Sequence, residues 1–239
     1  MQARLNMQML NTTSHDSGAL GPLAMVVHPF TTPGHHRGVV VRHGRPLGDF
    51  SFVVDAQCEV MQLDIDLARV GRRDGSAAPD CGCHADEAGA RRVSPKGYVL
   101  FHASSGSGYA ATVGSDGAKA VFDSTRLSDG DLFALSLLEP GAYRMDNTLS
   151  GARGSIEVAF NEEIARRIRA LDTVYVDAQG KRFSPGSVAL ASSQGLVFRI
   201  HEPSRIVIAR EGPARTARGK PALRWQKPAP VAAAAAQAR

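Results

Sequence analysis

The stretch Asp129–Phe160, DGDLFALSLLEPGAYRMDNTLSGARGSIEVAF, constrains the fold more than any other part of the chain. Leu132–Leu138 is apolar and of strand length. Pro140-Gly141 then marks a turn: proline presets φ at the first corner, and glycine accepts the positive φ of the second. Ala142–Met145 resumes an extended chain. After the loop Ser150–Gly154, Ile156, Val158 and Phe160 alternate with polar residues, the period of a half-buried strand. Strand, turn, strand, glycine loop, strand predicts a sheet protein and leaves no room for a helix in this region.

The same residues carry a resemblance. Pro140, Gly141, Tyr143, Gly151, Gly154, Ile156 and Val158 resemble the closing strands of the cupredoxin family. A second stretch, Phe183-Ser-Pro185 followed by Val188, Leu190 and Gln194-Gly195-Leu196-Val197-Phe198, is similar to the opening strands of that family. The order is inverted, the ending pattern standing before the opening one, which suggests two β units or a sandwich of different connectivity. The resemblance implies a β-sandwich. It does not extend to the copper ligands: no Cys follows Tyr143, and no His lies between Tyr143 and Gly154. A blue-copper centre needs a thiolate and two imidazoles, so none is expected here.

Further strands are read at Ala24–Phe30, in a hairpin over Gly38–Asp55 with His43–Pro46 as its turn, and at Val60–Leu67 with an acidic solvent face. Others follow at Gly97–His102, Tyr109–Val113 and Ala118–Phe122. About nine strands up to Phe160, at a spacing of roughly 8–12 residues, suit a Greek-key-type sandwich or barrel. One helix is expected over Asn161–Leu171. Asn161 is a good N-cap, Glu162 and Glu163 fill the first turn, and Arg166, Arg167 and Arg169 fill the later ones. The expected organisation is a flexible arm over 1–23, a sandwich over 24–160, the connecting helix 161–171, a second β unit over 172–211 and a tail over 212–239. No internal repeat is evident from the residues alone.

Charge separates the tail from the body. The net charge is +5, but six of the 28 basic residues lie after Gly212, where no acid occurs. The body, with 22 basic against 23 acidic residues, is near neutral, which argues against a nucleic-acid-binding domain. The tail is rich in Pro and Ala and is expected to be disordered alone. Its Arg215, Arg218, Lys220, Arg224, Trp225 and Lys227 form a candidate docking segment for a protein partner with an acidic surface, with the single Trp of the chain as anchor. No run of 18 apolar residues occurs, so no membrane span is expected. Polar breaks throughout Met1–Leu23 leave no signal-peptide core. The odd count of three Cys argues against a disulfide framework, and the cytoplasm is the expected compartment.

Candidate chemistry is sparse. Cys81-Gly82-Cys83-His84, with Cys58 as a further donor, offers thiolates and an imidazole to zinc or copper. Alternatively, a strand followed by a hairpin could bring imidazoles from His28, His35, His36 and His43 together as a metal or base site, although Pro29, Pro33 and Gly34 mark His35-His36 as an exposed loop tip. His102 and His201 end apolar strands and read as structural, as does the Gly-rich turn Ser104–Gly108, which lacks the Lys of a phosphate loop. Asp64 and Asp66 share a strand face and read as solubilising. The reading favoured by these residues is a non-catalytic β-sandwich accessory or binding module without a cofactor, acting through protein contacts. The alternatives are a zinc or copper protein using the Cys81 loop, and an enzyme with a loop-borne His site.

Overall fold

The structure, a computed structural model, describes residues 12–71, 91–115, 120–160 and 172–212. The described chain is built from strands, as its period-two patterning requires. The alternation at Leu63, Ile65 and Leu67 buries those three side chains and leaves Gln62 and Asp64 outside. The helix expected over 161–171 lies outside the described residues, as do most of the tail and Cys81, Cys83 and His84.

Strand β1 (Ser14–Asp16) comes first. It is followed by β2 (Ala24–His28), β3 (Gly34–Arg42), β4 (Arg45–Val54), β5 (Gln62–Asp66), β6 (Arg92–Val93), β7 (Tyr98–His102), β8 (Tyr109–Ser115) and β9 (Ala120–Asp123). A second run comprises β10 (Leu132–Ser136), β11 (Gly141–Asn147), β12 (Arg153–Ala159), β13 (Val174–Gln179), β14 (Arg182–Ser184), β15 (Ser187–Ala191), β16 (Gly195–Ile200) and β17 (Ile206–Arg210). They form three sheets. The largest has the order β14-β13-β16-β10-β2-β7-β5; two smaller ones have the orders β6-β4-β3-β8-β9 and β1-β17-β11-β12-β15. None of the three closes into a barrel among the described residues.

This pattern is an internal repeat. In unit one, β3 pairs antiparallel with β4 and β8, β4 pairs parallel with β6, and β7 takes β2 antiparallel and β5 parallel. In unit two, β11 pairs antiparallel with β12 and β17, β12 pairs parallel with β15, and β16 takes β10 antiparallel and β13 parallel. Each pairing has its counterpart. Pro33-Gly34-His35-His36-Arg37 opens β3 where Pro140-Gly141-Ala142-Tyr143-Arg144 opens β11. Both glycines take the left-handed φ that suits glycine, 141° at Gly34 and 145° at Gly141. The repeat boundary therefore lies at 124–131, not at the 161–171 segment, and strands 132–159 belong with 174–210. The repeat was invisible in the residues because little beyond Pro-Gly-x-x-Arg is shared.

The two units meet at β2 and β10, which pair antiparallel in the middle of the large sheet. Phe133 lies opposite Val26 and Leu135 opposite Ala24, and all four are buried. Both units therefore use the same face of the central sheet, and the two smaller sheets cover that face. Phe101 on β7 stacks on Phe122 of β9 at 4.7 Å between centroids, which fixes the layers of unit one together. Phe133 and Phe198 stack at 6.1 Å in unit two.

Three local expectations are revised. Pro140-Gly141 does not close a hairpin: β10 lies in the central sheet and β11 in an outer one, so this corner carries the chain between layers. Tyr143 holds the corner by donating its hydroxyl to the Glu139 carbonyl at 2.8 Å, the geometry of a tyrosine corner. The β3–β4 turn is two residues, His43 and Gly44, with φ of 48° and 76°, a mirror-image turn suited to the twist of a hairpin. Pro46 belongs to β4. The third concerns the arm. Ser14–Asp16 pairs with β17, Leu20 is fully buried, and Asp16 accepts two bonds from the Arg205 guanidinium at 3.0 and 2.8 Å. Residues 12–23 thus complete unit two instead of trailing from unit one.

Candidate functional site

The seam between the units holds the candidate site. Inward positions along it pair as Ala24 with Leu135 and Val26 with Phe133. The same register continued by one step sets His28 across from Asp131. Their side chains meet: His28 Nδ1 lies 2.5 Å from Asp131 Oδ1. The Asp131 side chain is 1% exposed and that of His28 14%. Asp131 Oδ2 accepts the Ser128 amide at 2.7 Å and the Ser128 hydroxyl at 3.2 Å. With Oδ2 occupied by two donors, Oδ1 is the acceptor for the Nδ1–H of His28. That contact assigns the tautomer and turns Nε2 into the ring's open acceptor. Nε2 makes no hydrogen bond among the described residues.

The surroundings are aromatic. The His28 ring centroid lies 4.4 Å from Phe30 and 4.9 Å from Phe122. Phe30 in turn contacts His36, Phe52 and Phe101. His36 is buried and stacks on Phe52 at 5.2 Å with an interplanar angle of 11°. Its Nε2 lies 3.2 Å from the Thr32 carbonyl, while its Nδ1 is buried without a partner. Unit one thus carries two imidazoles inside a phenyl cluster.

The four-histidine site expected from the sequence is not assembled. His28 and His36 both touch Phe30, but His35 points to the opposite, exposed face of β3, as period two demands. His43 is exposed at the far tip of the hairpin. No group of three His, Cys, Asp or Glu is placed to hold a metal among the described residues. Cys58 sits half-buried in a turn, its amide bonded to the Asp55 carbonyl at 3.0 Å. The remaining members of the thiol site, Cys81, Cys83 and His84, lie outside the described residues, and so do Arg215, Arg218, Lys220, Arg224, Trp225 and Lys227.

Two further acid–cation groups mark the opposite face of the central sheet. Asp177 accepts from His201 Nε2 at 2.9 Å and from Arg199 at 2.8 Å. The His201 bond, ahead of the Arg199 bond, holds the Asp177 carboxyl below its ordinary range against the opposing effect of desolvation. Asp66 is the equivalent residue in unit one. Burial would raise its pKa, but hydrogen bonds from Ser104 and the Ala68 amide, with His102 nearby, bring it below the ordinary range. Between these groups the outer face is apolar. Val27 lies opposite Leu100 and Leu132, and Ala134 opposite Met25 and Val197. All six are half-buried.

Asp131 was not singled out by the sequence reading. A signal was present: Asp131, Phe133, Leu135 and Leu137 share one parity, so an acid stood on the buried side of an apolar strand. His15, also missed, is 4% exposed on β1, and burial lowers its pKa from 6.5 to about 4. No family model, no curated protein and no solved structure matches this chain.

Proposed function

We propose that this chain is a binding module that works by protein contact, and that its working surface is the outer face of the seven-stranded sheet. One observation carries the reading. Solvent-side positions of an antiparallel sheet are ordinarily polar, yet six adjacent outward positions here, Met25, Val27, Leu100, Leu132, Ala134 and Val197, are apolar and lie in register across four strands. Contiguous apolar surface rimmed by polar groups is the usual mark of an interaction site. The rim carries three acids, Asp64, Asp66 and Asp177, against two arginines, Arg69 and Arg199, with His102 and His201 beside them, so the balance leans to the acids and the fitting partner is a protein with an apolar face and basic margins. The accessory role, the basic tail as a second docking segment and a cytoplasmic setting belong to the same proposal. They rest on the sequence: on Trp225 among six basic residues and on the odd cysteine count. The likeness to cupredoxins contributes only the sandwich scaffold. No helix among the described residues is long and apolar enough to cross a membrane.

The test uses the full chain and an amphipathic Leu/Lys peptide as a surrogate for the basic-margined partner. Saturable amide shift changes on β2, β7, β10 and β16, abolished by Leu100→Lys with Val197→Lys, support the reading. Changes scattered over the surface sink it. A doubled mass of the chain alone, lost in the same variant, would replace the foreign partner by a second copy.

The alternative of an enzyme with a His site also has an observation in its favour, the oriented imidazole of His28. The metal-binding alternative has none among the described residues.

A further inference from the structure

The two units have the same strand pairing, so each position in one has a counterpart that reports what the fold itself requires. His28 corresponds to Leu135, Phe30 to Leu137, and His36 to Tyr143, with no insertion between 26–36 and 133–143. The seam repeats this relation. The His28–Asp131 contact at one end answers to the Leu135–Ala24 pair at the other, which is apolar and buried. The fold is therefore satisfied by an apolar pair at this location. The seam here instead buries a carboxylate from the residue leading into β10 and most of an imidazole from β2, groups that cost free energy to remove from water. A purely structural role does not account for that expense, because the other end of the same seam is held without it.

The geometry has a definite chemical character. The carboxylate, gripped by both donors of Ser128, holds Nδ1–H and leaves Nε2 as an unpartnered acceptor on a ring that keeps 14% of its side-chain surface open. A carboxylate behind the imidazole also stabilises the imidazolium that forms when Nε2 takes a proton. Phe30 and Phe122, both buried, pack against the ring, so a ligand at the open part of His28 meets an apolar wall that disfavours a charged group. The ligand must bring a hydrogen-bond donor on an apolar body.

We propose that His28 and Asp131 form a proton-accepting site for a small neutral aromatic molecule bearing a weakly acidic hydroxyl. On binding, the phenolic O–H bond breaks and its proton passes to Nε2. The product is a phenolate facing an imidazolium, whose Nδ1–H stays on Asp131. The site lies on the inner face of the central sheet and is independent of the outer-face reading above, so either can fail alone.

The experiment adds full-length protein to 4-nitrophenol, buffered below the ionisation of the free phenol, and follows the phenolate band. The expected result is an ionisation ratio for the bound phenol raised about tenfold, one pKa unit, together with a shift of the His28 Nε2 nitrogen resonance towards its protonated position. The His28→Leu, Asp131→Ala double variant copies the apolar pair at the other end of the seam. It should keep a cooperative melting transition and lose the phenolate signal. His28→Gln retains a donor for Asp131 and should lose the signal as well; it serves as the readout should the double variant fail to fold. A wild-type protein that leaves the phenolate band unchanged, or a signal that survives in either folded variant, overturns the proposal.

Discussion

Units one and two share every core strand pairing and solve the same packing problem with different side chains. Unit two is filled with aliphatic residues around Phe133, Phe198 and Tyr143; the Tyr143 hydroxyl is satisfied by Glu139, Asn147 donates to Ser204, and His15 of β1 keeps a buried Nε2 without a partner. Unit one is filled with Phe30, Phe50, Phe52, Phe101 and Phe122, and it admits His28 and His36. His36 carries a buried nitrogen without a partner. The edges differ too. Unit one closes its outer sheet with β9, which follows β8 in the chain, whereas unit two takes β1 from a segment that precedes unit one. Topology tolerates both solutions. The His28–Asp131 pair therefore lies outside what the shared architecture demands, since the matching pair at the other end of the seam, Leu135 and Ala24, is apolar.

The largest expected effect tests whether the units fold as one body. Phe101→Ala in unit one and Phe198→Ala in unit two should each cost about 3–5 kcal/mol. Because β2 and β10 lie in one sheet, each should shift a single transition in denaturant unfolding. Two separate transitions would make the seam a mere contact between domains. Next comes the reciprocal transplant. Leu135→His with Ala24→Asp installs the polar pair at the other end of the seam, a position without a Ser128 equivalent. It should cost about 2–5 kcal/mol in chemical denaturation. A neutral result would show that the seam accepts the pair anywhere and would weaken the special status of His28.

The edge strands supply the third. Buried His15 stays neutral in the fold down to about pH 4, whereas its unfolded value is 6.5. Between those values the unfolded chain binds the extra proton, so stability falls as pH drops from 6.5 to about 4, by about 3 kcal/mol. Hydrogen exchange should rise first at the β1 and β17 amides, and His15→Phe should flatten the profile in that window. Asp66 and Asp177, both held below the ordinary carboxylate range, remove stability only at lower pH. A profile flat above pH 4 in the wild type would mean that β1 is not docked as described. The smallest effect concerns the equivalent corners. Tyr143→Phe should cost about 1 kcal/mol through its lost hydrogen bond. His36→Phe should be neutral or mildly stabilising by thermal melting, because it removes the nitrogen that has no partner. Equal losses at both would show that His36 is as well satisfied as Tyr143.

The sequence by itself determined that the body is mainly β. It also determined where most strands run, because period-two alternation and Pro-Gly or His-Gly turns act over a few neighbouring residues. Phe50, Phe52 and Val54 fall on one face of β4 for that reason, as do Leu63, Ile65 and Leu67 along β5 and just beyond it. Only the tertiary structure decided which strands are neighbours. The alternation of β10 and β11 is the same whether they form a hairpin or lie in separate layers, and nothing local in Ser14–Asp16 announces a partner at Val207–Ala209. The repeat followed the same rule: backbone pairing preserves it, while side chains need only be apolar and of suitable volume, so Leu135 and His28 share a position without sharing chemistry. The seam site was illegible for the most basic reason. Parity puts Asp131 on the buried side of its strand, but its partner is 103 positions away, and only the strand register sets the acid, dry, across from an imidazole.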